Sequence, residues 1–271
     1  MWWFLGAFAL GAVVVWSAVF HFEQARLTVA FLDVGQGDAI FIEAPNGNQM
    51  LVDGGPDKKV LRELADVMPF WDRSIDMIVL THPHQDHVAG LVDVLRRFDV
   101  DYAVESGARH TIAEYEAFER AVDDENAEHI FARRGMRIWL ADDAYLDVLD
   151  PETVIGDGDP NETMVVLRLA YGNTSLLLTG DLTQKGEARL LRSGISLDSD
   201  ILKVPHHGSK YSSTNAFLAD VSPAAAVVSV GAKNRYGHPT SNALSRLEKS
   251  SALVLRTDTD GTIIFESNGR T

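Results

Sequence analysis

The sequence predicts one compact α/β domain built from two β-sheets, with a hydrophobic segment ahead of it. Of its 271 residues, 46% are apolar, a fraction that supports a packed core and excludes an intrinsically disordered chain. From residue 27 onward, short apolar runs come in pairs, and segments with helical spacing separate the pairs. No repeat or flexible linker interrupts this order, so a single domain with two sheets is the simplest prediction.

The hydrophobic segment covers residues 2–22, which contain no Asp, Glu, Lys or Arg. A helix of this length extends roughly 30 Å, the thickness of a bilayer core. Trp2 and Trp3 at one end and His21 at the other suit the two membrane interfaces. A cleaved signal peptide would need a basic start and a small-residue cleavage site, and this segment offers neither. We therefore expect residues 1–23 to be a retained single-pass anchor ahead of a domain at residues 27–271.

The strands and helices of that domain follow from local patterns. Apolar and β-branched runs bounded by turn residues predict strands at residues 28–34, 39–43, 50–52, 75–80, 145–149, 164–170, 175–179, 201–204, 225–230, 253–256 and 262–265. Apolar residues three and four apart predict helices at residues 60–67, 88–98, 112–124, 183–192 and 241–248. The first strands are joined by tight turns, because residues 35–37 and 45–48 are rich in the turn formers Gly, Asn and Pro.

The formal net charge of −15 is concentrated in one part of the chain. Residues 99–160 hold 17 acidic side chains against 5 arginines, and we expect this stretch to form a solvated face. Residues 161–271 hold 10 acidic and 12 basic side chains, a net charge of +2. The total charge argues against a nucleic acid partner, because phosphate backbones bind positive surfaces. The local charge of the C-terminal part mildly favours an anionic substrate.

A cluster of metal-binding residue types follows the strand predicted at residues 75–80. His82, His84, Asp86 and His87 fall within six residues. Such a loop can direct His82 and His84 to one metal ion while Asp86 and His87 face a second. Imidazole and carboxylate ligands suit zinc, and also manganese or iron. The chain has no cysteine, which excludes disulfides, all-thiolate zinc sites and thiolate nucleophiles.

Three later segments complete the predicted site. Asp181 ends an apolar run, and a carboxylate there can bridge two metal ions, which lie about 3.5–4 Å apart in two-metal hydrolases. His206 and His207 follow the strand at residues 201–204, and spacing alone leaves open which of them binds metal and which faces substrate. His238 is either a further site residue or a structural loop residue. The remaining histidines, His21, His110 and His129, are assigned to an interface and to the surface.

These motifs together resemble the metallo-β-lactamase superfamily. Within it, three segments resemble the C-terminal domain of ComEC-type competence (DNA-internalisation) proteins: residues 33–39, residues 206–209 and residues 236–239. The resemblance extends from about residue 27 to the C-terminus and implies an αββα sandwich with a dimetal site at the shared edge of the sheets. It also implies a hydrolase that cleaves a DNA strand during uptake, with two divalent metal ions, zinc or alternatively manganese, as cofactors.

Two departures from the family pattern qualify what the resemblance implies. Asn161 stands where many members have a third histidine for the first metal, so that site is expected to have fewer protein ligands and more water. One hydrophobic segment precedes the domain in this sequence, so the family's multi-helix channel and small β-barrel are expected to be missing. A channel function would then require a separate membrane protein, and the chain is either a stand-alone hydrolase or a fragment that retains its last transmembrane helix.

The expected reaction is attack of an activated water on phosphorus. The residues expected to take part in catalysis are Asp86, Asp181, Asn161 and His207. A polar rim is expected to bind the substrate through Ser209, Lys210, Lys233 and Arg235, while Asp33 and Asp53 hold ligand imidazoles or a turn.

Two other functions remain open on sequence grounds. One is a metallo-hydrolase of another ester or amide, such as a phosphocholine ester, a lactone or a lactam. The other is a metal-binding assembly module without turnover. For the membrane-tethered nuclease, the expected location is the cytoplasmic membrane, with the catalytic domain on the extracytoplasmic face.

Overall fold

The computed structural model describes residues 26–153 and 163–270, together with isolated positions among the first 25 residues. Most of the predicted anchor at residues 2–22, and the predicted catalytic Asn161, lie outside the described residues. Across the residues that are described, no helix has the length and apolar composition that crossing a bilayer requires.

Strands account for most of the framework. They are β1 (Leu27–Phe31), β2 (Ile40–Glu43), β3 (Gln49–Val52), β4 (Ser74–Leu80), β5 (Asp99–Glu105), β6 (Glu128–Phe131), β7 (Arg137–Ala141), β8 (Ala144–Asp150), β9 (Val166–Tyr171), β10 (Thr174–Leu178), β11 (Ile201–Lys203), β12 (Ala225–Val228), β13 (Leu253–Arg256) and β14 (Ile263–Ser267). The helices are α1 (Lys59–Val67), α2 (Gln85–Leu95), α3 (Ala113–Glu125), α4 (Gln184–Ser193), α5 (Asn215–Val221), α6 (Ser241–Lys249) and α7 (Thr257–Asp260), with a 3₁₀ turn at Pro205–Gly208.

The strands form two mixed sheets of seven. The first has the order β14-β1-β2-β3-β4-β5-β6, and the second has the order β13-β12-β11-β10-β9-β8-β7. The last strand, β14, returns to the first sheet and pairs antiparallel with β1. Each sheet contains a parallel portion, with β3, β4, β5 and β6 parallel in the first and β10, β11, β12 and β13 parallel in the second.

Successive strand residues point to opposite faces, and this alternation produces three apolar layers. Phe31 of β1 and Leu176 of β10 belong to the core between the two sheets. Ala30 packs outward with residues of α1, α2 and α3, while Leu177 packs outward with residues of α4, α5 and α6. The predicted αββα sandwich is therefore confirmed.

Among the described residues, three strands and two helices escaped prediction from the sequence. Strand β5 contains Asp99, Asp101 and Glu105, so its composition differs from that of an ordinary buried strand. Strands β6 and β7 lie at the edges of their sheets, where half-exposed residues weaken the apolar signal. Helix α5 has seven residues and helix α7 has four, too few to display two turns of helical spacing.

The prediction of a solvated face at residues 99–160 is only partly correct, because this stretch also contributes strands to both sheets. Two of its acidic residues are buried. Asp150 pairs with Arg134 at 3.2 Å and also with Arg189. Glu105 accepts a hydrogen bond from His129 at 3.0 Å. Local charge density therefore did not distinguish solvated carboxylates from those that pair inside the fold.

Candidate metal centre

The predicted ligands meet at the edge where the parallel strands of both sheets end. Asp53 follows β3, and His82 follows β4, its parallel neighbour in the first sheet. Asp181 follows β10, and His206 follows β11, its parallel neighbour in the second sheet. Because neighbouring parallel strands end at one edge, this topology gathers residues from distant parts of the chain.

Glycine allows the loops at this edge to pack tightly. Gly37 has a φ of +137°, and a Cβ there would lie 2.1 Å from the carbonyl oxygen of Asp86. Gly90 of α2 contacts the turn after β3, where a Cβ would lie 1.8 Å from the carbonyl oxygen of Gly54. Larger residues at either position would push the histidine loop away from Asp38 and Asp53.

Asp181 lies at the centre of the site and faces histidines with both carboxylate oxygens. Its Oδ1 is 3.5 Å from Nε2 of His87 and 3.3 Å from Nε2 of His207. Its Oδ2 is 3.9 Å from Nε2 of His82 and 3.7 Å from Nε2 of His206. Each oxygen of this carboxylate thus faces a different pair of imidazoles, and ligand atoms of His82, His87 and Asp181 also lie within 4.8 Å of one another.

His84 and Asp86 complete the two groups. Nδ1 of His84 lies 3.0 Å from Nε2 of His82, on the Oδ2 side of Asp181. Asp86 lies 3.6 Å from Nε2 of His207 and 4.0 Å from Nε2 of His87, on the Oδ1 side. The structure therefore brings the predicted pairs His82–His84 and Asp86–His87 to opposite oxygens of a single carboxylate.

Unpartnered polar atoms on the Oδ1 side fit a bound cation. Oδ1 of Asp181, Nε2 of His87 and Nε2 of His207 are buried, and no other described residue forms a hydrogen bond with them. Buried polar atoms are almost always satisfied, so such a cluster requires an explanation. Nitrogen and carboxylate oxygen atoms 3.3–4.0 Å apart have the spacing expected for ligands at bond lengths of about 2.0–2.2 Å.

Asp53 orients one imidazole from each group. The Nδ1–H of His87 donates to Oδ2 of Asp53 at 2.8 Å. Thr81 donates to Asp53 through its backbone N–H at 2.8 Å and through its hydroxyl at 2.7 Å. The Thr81 hydroxyl oxygen lies 3.1 Å from Nδ1 of His82. These contacts direct both Nε2 atoms toward Asp181. Carboxylates outside the ligand set orient imidazole ligands in this way in metal sites.

Asp53→Asn should weaken metal binding by about 10–100-fold, because an amide cannot accept from all three of these donors. Asp33→Asn is the matched control. Asp33 holds the Gly35 turn through a hydrogen bond of 3.2 Å and pairs with Lys59 at 3.1 Å. Zinc dissociation constants from chelator competition should change for Asp53→Asn and stay constant for Asp33→Asn. Equal affinities for the two variants would contradict the positioning role of Asp53.

Asp38 and Lys203 also belong to the centre, although the sequence predicts a site role for neither. Both are buried, and their charged groups form an ion pair. Lys203 Nζ also donates to the carbonyl oxygen of Gly180 at 2.9 Å and lies 3.9 Å from Oδ1 of Asp181. One signal was present in the sequence: Lys203 interrupts the apolar run at residues 201–204, where a lysine needs a buried partner.

Neighbouring charges determine the protonation of His87 and His207, the two imidazoles that face Oδ1 of Asp181. Burial disfavours the imidazolium of His207, but Asp181 and Asp38 outweigh it and raise its pKa to about 10. Burial has the same opposing effect on His87, whose pKa is raised well above its usual value by Asp181 and Asp53. Burial alone would raise the pKa of Asp181, yet His207 and His87 hold it well below the usual range. At neutral pH and without metal, His87 and His207 are therefore imidazolium groups that face carboxylates, whereas burial lowers the pKa of His82, His84 and His206.

Metal binding at this group should release protons, because Nε2 must be deprotonated before it can coordinate. At pH 7 the raised pKa values of His87 and His207 imply a release of about two protons. Since protons compete with the metal ion, the apparent affinity should rise as the pH increases toward the pKa of His207. Calorimetric titration with zinc in two buffers of different ionisation enthalpy measures the number of protons released per bound ion. Binding without proton release would show that these imidazoles are not ligands.

An open cleft of about 530 Å³ leads to the centre. Its lining includes His84 and Asp86 on one side, Arg235 and Tyr236 on another, and His110. The ring of His110 lies 5.9 Å from that of His84, so a histidine assigned to the surface from sequence belongs to the cleft wall.

The predicted substrate rim is only partly assembled around this cleft. Arg235 lines it and donates to the Tyr236 hydroxyl at 2.8 Å. Ser209 is buried, and its hydroxyl accepts from the backbone N–H of Tyr211. Lys210 and Lys233 are exposed, and neither is among the described residues that line the cleft. Arg235 is thus the member of the rim best placed to meet a substrate.

His238 lies beside the centre. Its ring is 6.0 Å from that of His206 and stacks on Tyr236 at 5.9 Å. Within residues 26–153 and 163–270, no carboxylate oxygen lies within 4.0 Å of its ring nitrogens. Its predicted role as a ligand stays a prediction.

Comparison with known proteins is consistent with this geometry. The family model described as the metallo-beta-lactamase superfamily matches residues 32–232. ComE operon protein 3 of Bacillus subtilis is 31% identical over 259 residues, covering 89% of this chain and 33% of the relative. Competence protein ComA of Neisseria gonorrhoeae is 32% identical over 248 residues, covering 90% and 32%. The chain spans about a third of the length of these relatives.

Solved structures of similar fold share little sequence with the chain. The metallo-beta-lactamase fold protein YhfI from Bacillus subtilis aligns with a TM-score of 0.57 and 13% identity, covering 88% of this chain and 99% of that one. Igni18, a metallo hydrolase from the archaeon Ignicoccus hospitalis, aligns with a TM-score of 0.56 and 16% identity, covering 89% and 100%. At these identities the likeness shows the fold alone.

Proposed function

Because this chain belongs to the metallo-β-lactamase superfamily and is homologous to competence proteins, we propose that it is a dinuclear metal-dependent phosphodiesterase that cleaves DNA. Zinc is the proposed metal and manganese the alternative, because the ligands are imidazoles and carboxylates without thiolates. The proposal is supported chiefly by Asp181, whose two oxygens face different imidazoles beside an open cleft lined by His84 and Asp86.

The charge of the centre suits an anionic substrate. The buried or partly buried carboxylates of Asp38, Asp53, Asp86 and Asp181, together with the ammonium of Lys203, give a formal charge of −3. Two divalent ions would change this to a formal charge of +1. Arg235 adds a further cation at the cleft wall. A phosphodiester would therefore meet a positive site although the whole chain carries −15.

Different residues of the chain have different roles in the proposed hydrolysis. When bound, the two ions would supply Lewis-acid stabilisation of phosphoryl oxygens and a water of lowered pKa. Asp181 holds the two ligand groups in fixed relation, and Asp53 orients their imidazoles. Arg235 is placed to contact a phosphate oxygen from the cleft wall. Lys203 and Asp38 balance charge beneath the reacting groups.

The test compares substrates on one preparation of the full chain. After loading with zinc or manganese, the protein is assayed with a chromogenic phosphodiester, single-stranded DNA and a cephalosporin. We expect cleavage of the first two, loss of activity in EDTA and loss in His84→Ala. Bound metal without phosphodiester cleavage would refute the proposal and favour a different ester or amide, or an assembly module. DNA cleavage that survives His84→Ala would come from a contaminating nuclease.

Membrane attachment through residues 2–22 is part of the same proposal, and its support is the uncharged stretch with tryptophans at one end. The catalytic domain would then lie on the extracytoplasmic face of the cytoplasmic membrane, where a separate channel protein could receive DNA. Protease added to intact cells from which the outer layers are removed should digest the domain. Protection in those cells, with digestion after lysis, would contradict this placement.

A further inference from the structure

We infer that His206 and His207 bind different metal ions, with His206 completing the first site beside His82 and His84. This assignment concerns the metal centre on which the proposed function rests. It replaces the expectation that one of the two histidines faces substrate while the first site lacks a protein ligand.

The distances sort the two imidazoles to opposite sides of Asp181. Nε2 of His207 is 3.3 Å from Oδ1, which is also the oxygen nearest His87. Nε2 of His206 is 3.7 Å from Oδ2, which is also the oxygen nearest His82. On the Oδ2 side, His84 lies 3.0 Å from His82, and His82 and His206 lie 3.9 and 3.7 Å from Oδ2. These three spacings are close to those expected between ligands of one tetrahedral ion.

The backbone explains how adjacent side chains reach one carboxylate. In an extended segment, successive side chains point to opposite faces. His206 has φ 51° and ψ 45°, and His207 has φ 52° and ψ 27°, so both adopt the left-handed conformation that non-glycine residues avoid. This strained pair turns both imidazoles toward Asp181. Strain of this kind is typical of functional sites, where the surrounding structure maintains it.

The surroundings of the His206 and His207 rings also place them on opposite sides of Asp181. His207 is buried, and its Nδ1–H donates to the carbonyl oxygen of Ser229 at 2.8 Å, which fixes the ring toward the Oδ1 side. His206 is part-exposed at the mouth of the centre, with 32% of its side chain accessible. A ligand at this position would close the first site on its solvent-exposed side. His238, the competing candidate, lies farther out, 6.0 Å from the His206 ring.

Metal stoichiometry of paired variants tests the assignment independently of activity. The full chain is stripped with EDTA, equilibrated with buffered zinc, and its bound metal is counted by mass spectrometry of the intact protein. We expect two ions in the wild type, one in His206→Gly, and one in the double variant His84→Ala/His206→Gly, because both changes affect the same site. The double variant His84→Ala/His207→Ala should bind none. His238→Ala should retain two.

Glycine is chosen at position 206 because it accepts the left-handed backbone without strain. His206→Gly should therefore unfold in EDTA at the same urea concentration as the wild type or a higher one, so that loss of an ion cannot be ascribed to misfolding. Retention of both ions by His206→Gly, or loss of both by His84→Ala/His206→Gly, would overturn the assignment. A chain that binds metal as expected but cleaves no phosphodiester would refute the proposed function and leave this assignment intact.

Discussion

Asp181→Asn is expected to lower the proposed metal-dependent phosphodiester hydrolysis by a factor of at least about 10³, because the several kcal/mol that the metal ions would supply depend on this carboxylate. An amide offers one acceptor oxygen where the carboxylate offers two, so it cannot serve both ligand groups. It also removes the charge that both buried imidazoles, His87 and His207, face. We expect the loss of at least one bound ion together with the loss of activity.

The measurement is kcat/KM on a chromogenic phosphodiester, with metal content determined on the same samples. Asp220→Asn is the control, since Asp220 is exposed on α5 and should behave as the wild type. Activity of Asp181→Asn within tenfold of the wild type would show that the carboxylate does not connect the two ligand groups.

Lys203→Met should lower the free energy of unfolding of the metal-free protein by about 1–3 kcal/mol. The loss is smaller than for a buried charge left with no partner, because Nδ1 of His207 still lies 3.4 Å from Oδ1 of Asp38. Lys203 is fully buried and neutralises Asp38 beneath the ligand cluster. With zinc bound, the metal ions bring compensating positive charge, so the loss should be smaller. The ammonium thus preserves the shape of the centre while no metal is present.

Urea unfolding in EDTA and in zinc measures this difference. Lys249→Met, at an exposed position of α6, should stay within about 0.5 kcal/mol of the wild type. The double variant Asp38→Asn/Lys203→Met should recover part of the loss, because both charges are then absent. If Lys203→Met alone were as stable as the wild type in EDTA, the ion pair would carry no structural role.

The local sequence pattern was sufficient to predict the site residues that directly follow strands. The histidine loop after β4 and Asp181 after β10 each stand directly behind an apolar run, and parallel strands deliver such positions to a common edge. A single α/β domain with two sheets was predicted for the same reason, because most of its buried strands have continuous apolar sequences, while the αββα order of the layers was implied by the family resemblance. These features depend on neighbours in the chain, which a single sequence displays.

Contacts between distant segments were not predictable in the same way. Asp38 and Lys203 are partners across 165 positions, and nothing near either residue indicates the other. His206 and His207 were difficult for a different reason. The directions of their side chains depend on a left-handed backbone conformation, which residue types do not predict. His110 reaches the cleft through a loop whose course depends on the packing of β5 and α3.

The pairing of β14 with β1 has a consequence for the order of events during translation. Phe31 and Ile263 are register partners separated by 232 positions. At about 5–20 residues per second, the ribosome needs roughly ten to fifty seconds to deliver the second strand after the first. During that interval one edge of β1 has only solvent or a chaperone to meet its hydrogen-bonding groups. Nascent chains stalled before residue 263 should therefore associate with chaperones or with one another, whereas completed chains should not.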